Sequence, residues 1–154
     1  MIKLAEMKKL YNKKDKMHNF NHILRIKKNV DVLVNDYKKI DEKLLSFLIL
    51  FHGLKDYVNR HKNEFPKSYI VSLIRHSENP KLIEEKIVFD ANMLDNVGKF
   101  GIKKALYFGN KIGRTRKQTF EYVKSNLGKI KFYTKEGNKI GKLKIVEMKK
   151  LISQ

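Results

Sequence analysis

The sequence predicts a compact, all-α bundle that forms one domain, and three features of the chain support this fold class. Apolar side chains recur at the three- and four-residue spacing of a helix along most of the chain. The 154 residues, 42% of them apolar, are enough for one hydrophobic core. No repeat, low-complexity tract or glycine- and serine-rich linker divides the chain. We therefore expect a single domain over residues 1–154.

Helical spacing is clearest in six stretches, residues 23–34, 44–51, 70–74, 82–93, 119–127 and 140–152. Pro66 and Pro80 precede the third and fourth stretches, where proline favours the start of a helix. The second stretch is the most apolar, and it ends at His52 and Gly53, where glycine suits the carboxy-terminal cap of a helix. Residues 129–134 alternate weakly in polarity and could form a short strand.

Composition excludes several classes of protein. The chain has no cysteine, which rules out disulfides, thiolate zinc sites and thiol catalysis. Its longest apolar run, residues 44–51 interrupted by Ser46, is too short to cross a bilayer. Residues 1–16 lack the apolar stretch and small-residue cleavage site of a secretory signal. We therefore expect a soluble, cytoplasmic protein with no membrane partner.

The chain carries a strong positive charge that is unevenly distributed. Thirty-five basic residues, all but five of them lysine, against sixteen acidic ones give a net charge of +19. Residues 1–98 account for +6 of this charge and residues 99–154 for +13. Such a field attracts polyanions through steering and counterion release. A lysine-rich surface that is merely solvated would give the same composition.

Histidines are the first candidates for chemistry, and the chain has five, His18, His22, His52, His61 and His76. His18 and His22 are four residues apart, so on a helix they share one face and could hold one metal ion. An isolated histidine at a helix end is more often a hydrogen-bonded core residue. Oxygen ligands for magnesium, manganese or iron could come from nearby carboxylates. These are Asp56, Asp90 and Asp95.

Four segments in order along the chain carry a family resemblance: HNFNHILR at 18–25, LILFHGLKD at 48–56, IRHS at 74–77 and EKIVFDANMLDNVG at 85–98. They resemble the H-D-x-x-H-x-x-R, L-L-H-D-I-G-D, I-x-x-H-S and K-I-V-x-D-A-D-R-L-D-x-x-G motifs of HD-domain metal-dependent phosphohydrolases. FYTKEG at 132–137 is similar to the T-x-x-G segment of an uncharacterised bacterial and archaeal subgroup. The resemblance implies an HD-type helical bundle and a divalent metal site.

The departures from the family pattern fall on the metal ligands. Carried over by the resemblance, only His22 and His52 remain of four expected ligands. Gly53 stands where the pattern has the aspartate of the His-Asp pair, and Asn92 stands where it has the distal aspartate. Lys55 stands where it has a glycine. Two imidazoles and one amide would bind magnesium or manganese weakly, so the resemblance implies a degenerate metal site.

Two further ligands and a catalytic set remain as alternatives. His18 or Asp90 could complete the metal site, although Asp90 lies two residues from Asn92 and so points to a different helix face. We expect the three aspartates named above to cap or brace helices instead. If the protein were active, Asp56, Lys55 and His76 would be the candidate catalytic residues.

Basic residues of the carboxy-terminal third are candidates for phosphate or nucleic-acid binding. With Lys55, the set is Lys103, Lys104, Lys111, Arg114, Arg116 and Lys117. Most of them surround a predicted glycine-bearing loop, residues 109–113, that leads into a helix and could present backbone N–H groups to phosphate. Aromatic side chains that could stack on RNA bases, or pack in the core, are Tyr107, Phe108, Phe132 and Tyr133.

Three functions are therefore open. The first is a catalytically degenerate HD-type protein without a cofactor, acting as a basic binding module for RNA or a ribonucleoprotein. The alternative is a residual metal-dependent phosphohydrolase, using manganese, magnesium or iron on nucleotides or other phosphate esters. The third is a metal-free pocket for a phosphorylated small molecule, with Lys55, His18 and His76 as contacts.

Overall fold

The structure, a computed structural model, describes residues 2–154, which form helices joined by turns and irregular segments. Nine α-helices and three 3₁₀ helices form this part of the chain, which contains no strand. The α-helices are α1 Leu4–Asn12, α2 Phe20–Leu33, α3 Glu42–Phe51, α4 Lys55–Arg60, α5 Lys67–Arg75, α6 Ile83–Leu94, α7 Gly98–Lys111, α8 Arg116–Asn126 and α9 Lys135–Ile152. The 3₁₀ helices are Val34–Asp36, Lys62–Glu64 and Leu127–Lys129. The all-α fold class is confirmed.

The chain divides into two compact units, Met1–Phe89 and Asp90–Gln154, which we call the amino-terminal and carboxy-terminal units. The boundary falls within α6. The extent of a single domain over 1–154 stays a prediction. No helix in residues 2–154 combines the length and apolar character that crossing a membrane requires.

Helix α3 is the centre of the amino-terminal unit. Its buried residues are Leu44, Leu45, Phe47, Leu48, Ile49 and Phe51, and it contacts α2 and α5. Asp41 caps its first turn by accepting a hydrogen bond from the Leu44 amide at 3.0 Å. The helix ends at Phe51, so that His52 and Gly53 follow it as the sequence predicts. Pro66 is the N-cap residue of α5, also as expected.

In the carboxy-terminal unit, α7 packs against both α8 and α9. A Cβ on Gly109 would lie 2.2 Å from Thr119 Oγ1 of α8, so only glycine permits this approach. Gly109 is therefore a buried residue of α7, and the predicted loop over 109–113 is wrong. Of the two glycines, Gly113 is the one in the turn between α7 and α8, where its φ is +79°. Glycine there avoids the strain of the left-handed region.

The remaining differences concern weak sequence signals. Helices α1, α4 and α7 were not among the six predicted stretches. The predicted strand over residues 129–134 does not form. Lys129 ends a 3₁₀ helix, residues 130–133 are irregular, and Thr134 is the N-cap residue of α9.

Candidate functional site

Four of the five histidines form a row within the amino-terminal unit. Neighbouring ring centroids are 5.6 Å apart for His18 and His22, 5.6 Å for His22 and His52, and 5.1 Å for His52 and His76. The row runs from the exposed His18, whose Nδ1 lies 3.0 Å from Asp15, to the fully buried His76. The ends of α3 and α5 and the start of α2 therefore bring these residues together.

Hydrogen bonds fix the proton positions at the buried end of this row. His76 Nδ1 lies 2.5 Å from the Leu73 carbonyl oxygen, which can only accept, so Nδ1 carries the proton. Burial, together with a smaller effect of the positive charge of Lys55, lowers the pKa of His76 to about 4, although the Leu73 hydrogen bond acts in the opposite direction. The ring is therefore neutral at pH 7, and its Nε2 accepts a hydrogen bond from His52 Nδ1 at 2.9 Å.

This arrangement separates the roles of His52 and His76. Nδ1 of His52 is the donor to His76, so Nε2 is the other ring nitrogen of His52 and the one that faces away from this bond. Both nitrogens of His76 are engaged, and its side chain has no exposed area. His76 therefore orients His52, and direct contact with a phosphate would require these bonds to break.

Tyr11 occupies the space beside Gly53. Its hydroxyl donates to the Leu50 carbonyl at 2.6 Å and accepts from the Gly53 amide at 3.2 Å. Burial raises the pKa of Tyr11, so the hydroxyl keeps its proton. A Cβ on Gly53 would lie 3.0 Å from Tyr11 Cε1, closer than an ordinary contact. The tyrosine ring thus lies against the position where the family pattern has its ligand aspartate.

The Asp90 carboxylate is fully engaged in hydrogen bonds to the residues that begin α9. Its carboxylate accepts hydrogen bonds from the Tyr133 amide at 2.9 Å, the Thr134 amide at 2.7 Å and the Thr134 hydroxyl at 2.6 Å. Burial raises its pKa, although these hydrogen bonds act in the opposite direction. Thr134 in turn accepts from the Gly137 amide at 3.0 Å, where a Cβ would lie 2.3 Å from Asp90. This network explains the T-x-x-G spacing.

The available donors do not fit a hard divalent cation. His22 and His52 supply imidazole nitrogens and Gly53 has no side chain to act as a ligand, while Asn92 is a half-buried amide in α6. Within residues 2–154, no three histidine, aspartate or glutamate side chains are arranged to hold one metal ion. Magnesium and manganese prefer carboxylate oxygens.

A cavity of about 360 Å³ lies beside His52 and Gly53. Four cationic side chains line it, Lys13, Lys14, Lys55 and Arg60, together with one carboxylate, Asp56. The Lys55 ammonium donates to the hydroxyl of Ser77. We call this the basic cavity. Sequence reasoning found Lys55 and Asp56 but missed the other three, because α1 and α4 were not predicted.

A second group of cations lies where α7 meets α8. Lys103, Lys111, Arg116 and Lys117 are exposed and Arg114 is half-buried, and we call these five residues the α7–α8 corner. Three of its members lie over aromatic rings, with 4.8 Å from Lys111 to the Tyr107 ring centre, 4.0 Å from Arg114 to Tyr122 and 4.8 Å from Arg116 to Phe120.

Lys104 does not belong to that surface. It is 5% exposed, and its Nζ lies 3.1 Å from Asp95 Oδ2 and 2.8 Å from Asn96 Oδ1. Because α7 is a helix, Lys104 points inward while its neighbour Lys103 points outward. Asp95 therefore braces a helix, as expected, and Lys104 is its partner rather than an exposed anion contact.

Two other expectations about this region change. The start of α8 is closed by a capping box, in which Thr115 Oγ1 accepts from the Gln118 amide and the Gln118 side chain accepts from the Thr115 amide. Two of the backbone donors near this helix start are therefore already used. Phe132 packs against Gly141, where a Cβ would lie 2.1 Å from its ring, so it serves packing rather than base stacking.

An ion pair that sequence reasoning missed joins α5 to α6. Arg75 donates through Nε at 2.9 Å and through Nη2 at 2.5 Å to the fully buried carboxylate of Glu85. Burial alone would raise the pKa of Glu85, but hydrogen bonds from Arg75 and from the Lys81 and Leu82 amides lower it to about 2. Both residues lie inside quoted motifs, yet nothing in the spacing shows that they pair.

Comparison with known proteins supports the fold. No protein-family model matches the chain, and no curated protein matches it by sequence. Among solved structures, the Lin1889 protein of Listeria innocua is 25% identical, with a TM-score of 0.72 over 97% of this chain and 88% of its own. YpgQ of Bacillus subtilis, solved in complex with ADP, is 18% identical, with a TM-score of 0.75 over 97% and 89%. An HD-superfamily hydrolase of Bacillus thuringiensis is 20% identical, with a TM-score of 0.74 over 97% and 90%.

Proposed function

We propose that this chain, which has the HD-type helical fold, is catalytically degenerate and acts as a basic binding module for RNA or a ribonucleoprotein. The observation that carries the proposal is the α7–α8 corner, where three cations lie over aromatic rings. Cations paired with flat rings offer both phosphate attraction and surfaces on which bases stack.

Charge supports the same conclusion. The carboxy-terminal unit carries sixteen basic and five acidic residues. One basic and one acidic residue, Lys104 and Asp95, neutralise each other in its interior. The excess positive charge of this unit therefore lies on its surface. Release of counterions from RNA would favour association of RNA with that surface.

Catalytic degeneracy is supported by the donors around His52. Gly53 supplies no ligand, and Tyr11 lies against the position that an aspartate side chain would occupy. The first test is the metal content of protein purified without chelator, followed by a calorimetric titration with manganese. We expect no stoichiometric ion and no binding heat. A tightly held ion, with hydrolysis of phosphate esters lost in His52→Ala, would establish the hydrolase alternative instead.

RNA binding is tested by removing charge from the corner while leaving its arginine–aromatic pairs intact. In the triple variant Lys103→Gln/Lys111→Gln/Lys117→Gln, fewer counterions are released, so the slope of log affinity against log salt should fall by about 2. The matched control is Lys39→Gln/Lys43→Gln/Lys62→Gln, three exposed lysines of the amino-terminal unit. Absence of RNA binding by the wild type at 50 mM salt, or equal slopes for both variants, would contradict the proposal.

The basic cavity supports a second candidate function, binding of a phosphorylated small molecule without metal. Lys13, Lys14, Lys55 and Arg60 place four cations around about 360 Å³. The similar structure of YpgQ was solved with ADP. We expect ADP to raise the melting temperature in the presence of EDTA, and Lys55→Gln to reduce that shift. No stabilisation by ADP or inorganic phosphate would exclude this candidate.

A further inference from the structure

A groove runs between α8 and the last turn of α9 within the carboxy-terminal unit. It consists of two adjoining cavities of about 490 and 520 Å³, which share Lys124 and Ile152 as lining residues. The first extends to Arg116 at the start of α8, and the second extends to Gly128 beyond its end. Twelve residue-to-residue steps separate Arg116 from Gly128, which gives a length of about 18 Å.

The α8 wall of the groove follows one face of that helix. Lys117, Phe120, Lys124 and Gly128 lie at three- and four-residue spacing, so they succeed one another along the groove. The α9 side contributes Lys149 and Ile152 among its lining residues.

Charge and polarity along the groove are complementary to a single nucleic-acid strand. Its cations are Arg116, Lys117, Lys124 and Lys149, and Glu121 is the one acidic residue among those that line it. Apolar surface between them comes from Phe120, Leu127 and Ile152. Arg116 lies over the ring of Phe120, with 4.8 Å to the ring centre.

We propose that this groove binds a single-stranded segment of RNA, with one base stacked on the Arg116–Phe120 pair. The phosphates on either side of that base lie near Lys117, Lys124 and Lys149. The inference rests on the proposed RNA-binding function and specifies which form of RNA is bound and where. A duplex keeps its bases inside the helix and gains nothing from an aromatic ring, whereas an unpaired base presents its whole face.

The chain has no tryptophan, which makes stacking directly observable. In Phe120→Trp the new indole is the only one, and a 12-nucleotide oligouridine should quench its fluorescence with saturation. The control is Phe65→Trp in the amino-terminal unit, where the same titration should produce no saturable quenching. If neither variant showed saturable quenching although both still bound RNA, the strand would lie elsewhere and the inference would be overturned.

Affinity measurements separate the groove from general charge attraction. Phe120→Leu keeps an apolar side chain but removes the ring, so affinity for the oligouridine should fall at least about fivefold while affinity for a 12-base-pair RNA duplex stays unchanged. Lys124→Gln should weaken single-strand binding and reduce its salt slope by about 0.7. The control is Lys142→Gln, at an exposed lysine of α9 that does not line the groove. This variant should keep the preference of the wild type for single-stranded over duplex RNA. Circular dichroism and the urea midpoint verify that each variant is folded.

The outcomes distinguish the two proposals. If corner variants weaken RNA binding but Phe120→Leu affects single strand and duplex equally, the groove inference fails and the RNA-binding function stands. If no form of RNA binds the wild type, both fail. If a polyglutamate peptide, and not RNA, quenches Phe120→Trp, the groove is a site for an acidic protein partner and the inference is overturned.

Discussion

The row of histidines and the α7–α8 corner use their polar side chains in opposite ways. In the amino-terminal unit, the buried His76 has both ring nitrogens in hydrogen bonds, and the Tyr11 hydroxyl joins two backbone groups. In the carboxy-terminal unit, Lys111 and Arg116 extend over aromatic rings at the surface. Substitutions in the first region should therefore change the free energy of unfolding, and substitutions in the second should change binding.

A second contrast lies in one buried carboxylate of each unit. Glu85 is held by the guanidinium of Arg75, which together with backbone amides lowers its pKa to about 2. Asp90 is held by amides and a hydroxyl without a cation, and burial keeps its pKa above the ordinary value. An ionised partner outweighs burial at Glu85, whereas neutral donors do not outweigh it at Asp90.

The largest effect is expected at the ion pair. Arg75→Met keeps the apolar stem but leaves the fully buried Glu85 carboxylate without its cation, so the free energy of unfolding should fall by about 3–5 kcal/mol in urea denaturation. Arg60→Met, at an exposed arginine, is the control. Because the folded pKa of Glu85 is depressed, its contribution in the wild type is complete above pH 4.5 and is lost as the pH falls towards 2. A loss below about 1 kcal/mol for Arg75→Met would show that the remaining amides suffice.

Titration of His76 gives the next effect. Its pKa of about 4 in the folded protein lies below the ordinary value of 6.5, so the unfolded chain binds more protons between these limits. Stability should therefore fall by up to about 3 kcal/mol as the pH decreases from 6.5 to 4. His76→Gln should flatten this part of the pH profile, and His61→Gln should not. Identical profiles for wild type and His76→Gln would contradict the assignment.

At Asp90, removal of the acceptor leaves buried donors unpaired. Asp90→Ala deprives the Tyr133 and Thr134 amides and the Thr134 hydroxyl of their partner, so we expect a loss of about 2–3 kcal/mol. Amide hydrogen exchange should show the opening at the start of α9. Asp90→Asn, which retains one acceptor oxygen, should lose less. Equal losses in both variants would mean that packing, and not the hydrogen bonds, holds this junction.

Gly53 tests how firmly the amino-terminal unit excludes an aspartate at this position. In Gly53→Asp, the new Cβ lies 3.0 Å from the Tyr11 ring, so we expect a loss of about 1–3 kcal/mol and no tight binding of manganese in calorimetry. Tyr11→Phe, which removes the hydroxyl but keeps the ring, separates the hydrogen bonds from the contact. A stable Gly53→Asp protein that binds manganese would contradict this expectation. It would show that the Tyr11 ring moves aside and that one added carboxylate is enough to restore a metal site.

The smallest effect on stability belongs to the corner. Lys103→Gln, Lys111→Gln and Lys117→Gln should each change the free energy of unfolding by less than about 0.5 kcal/mol, because these side chains are exposed. Together they should nonetheless reduce the salt slope of RNA binding. A large loss of stability would remove the distinction between the α7–α8 corner and the row of histidines.

Helical spacing was sufficient for the fold class, since the six predicted stretches all lie mainly within helices. Short or charged helices such as α1 and α4 have too few apolar positions to show a clear period. Gly109 and Lys104 illustrate a different limit. A glycine that permits two helices to approach looks the same in sequence as a glycine in a turn, and a buried lysine looks the same as an exposed one until its partner is known.

Within the candidate site, the sequence identified the histidines that converge but not how they are bonded. The direction of the hydrogen bond from His52 to His76 follows from a backbone carbonyl, Leu73, which no side-chain motif encodes. Lys13 and Lys14 reach the basic cavity from the end of α1, which is remote in sequence, and Arg60 reaches it from the end of α4. Contacts of this kind depend on tertiary packing, which spacing along one helix does not specify.

The hydrogen bonds between Asp90 and Thr134 also constrain the order in which the carboxy-terminal unit can fold. They join residues 44 positions apart, and the chain between them contains α7 and α8. Closing a flexible loop of that length costs about 3 kcal/mol of chain entropy. Forming α7 and α8 first stiffens the intervening chain and reduces that cost, so α9 should dock late. Its amides should then gain protection after those of α7 and α8 in pulsed hydrogen exchange during refolding.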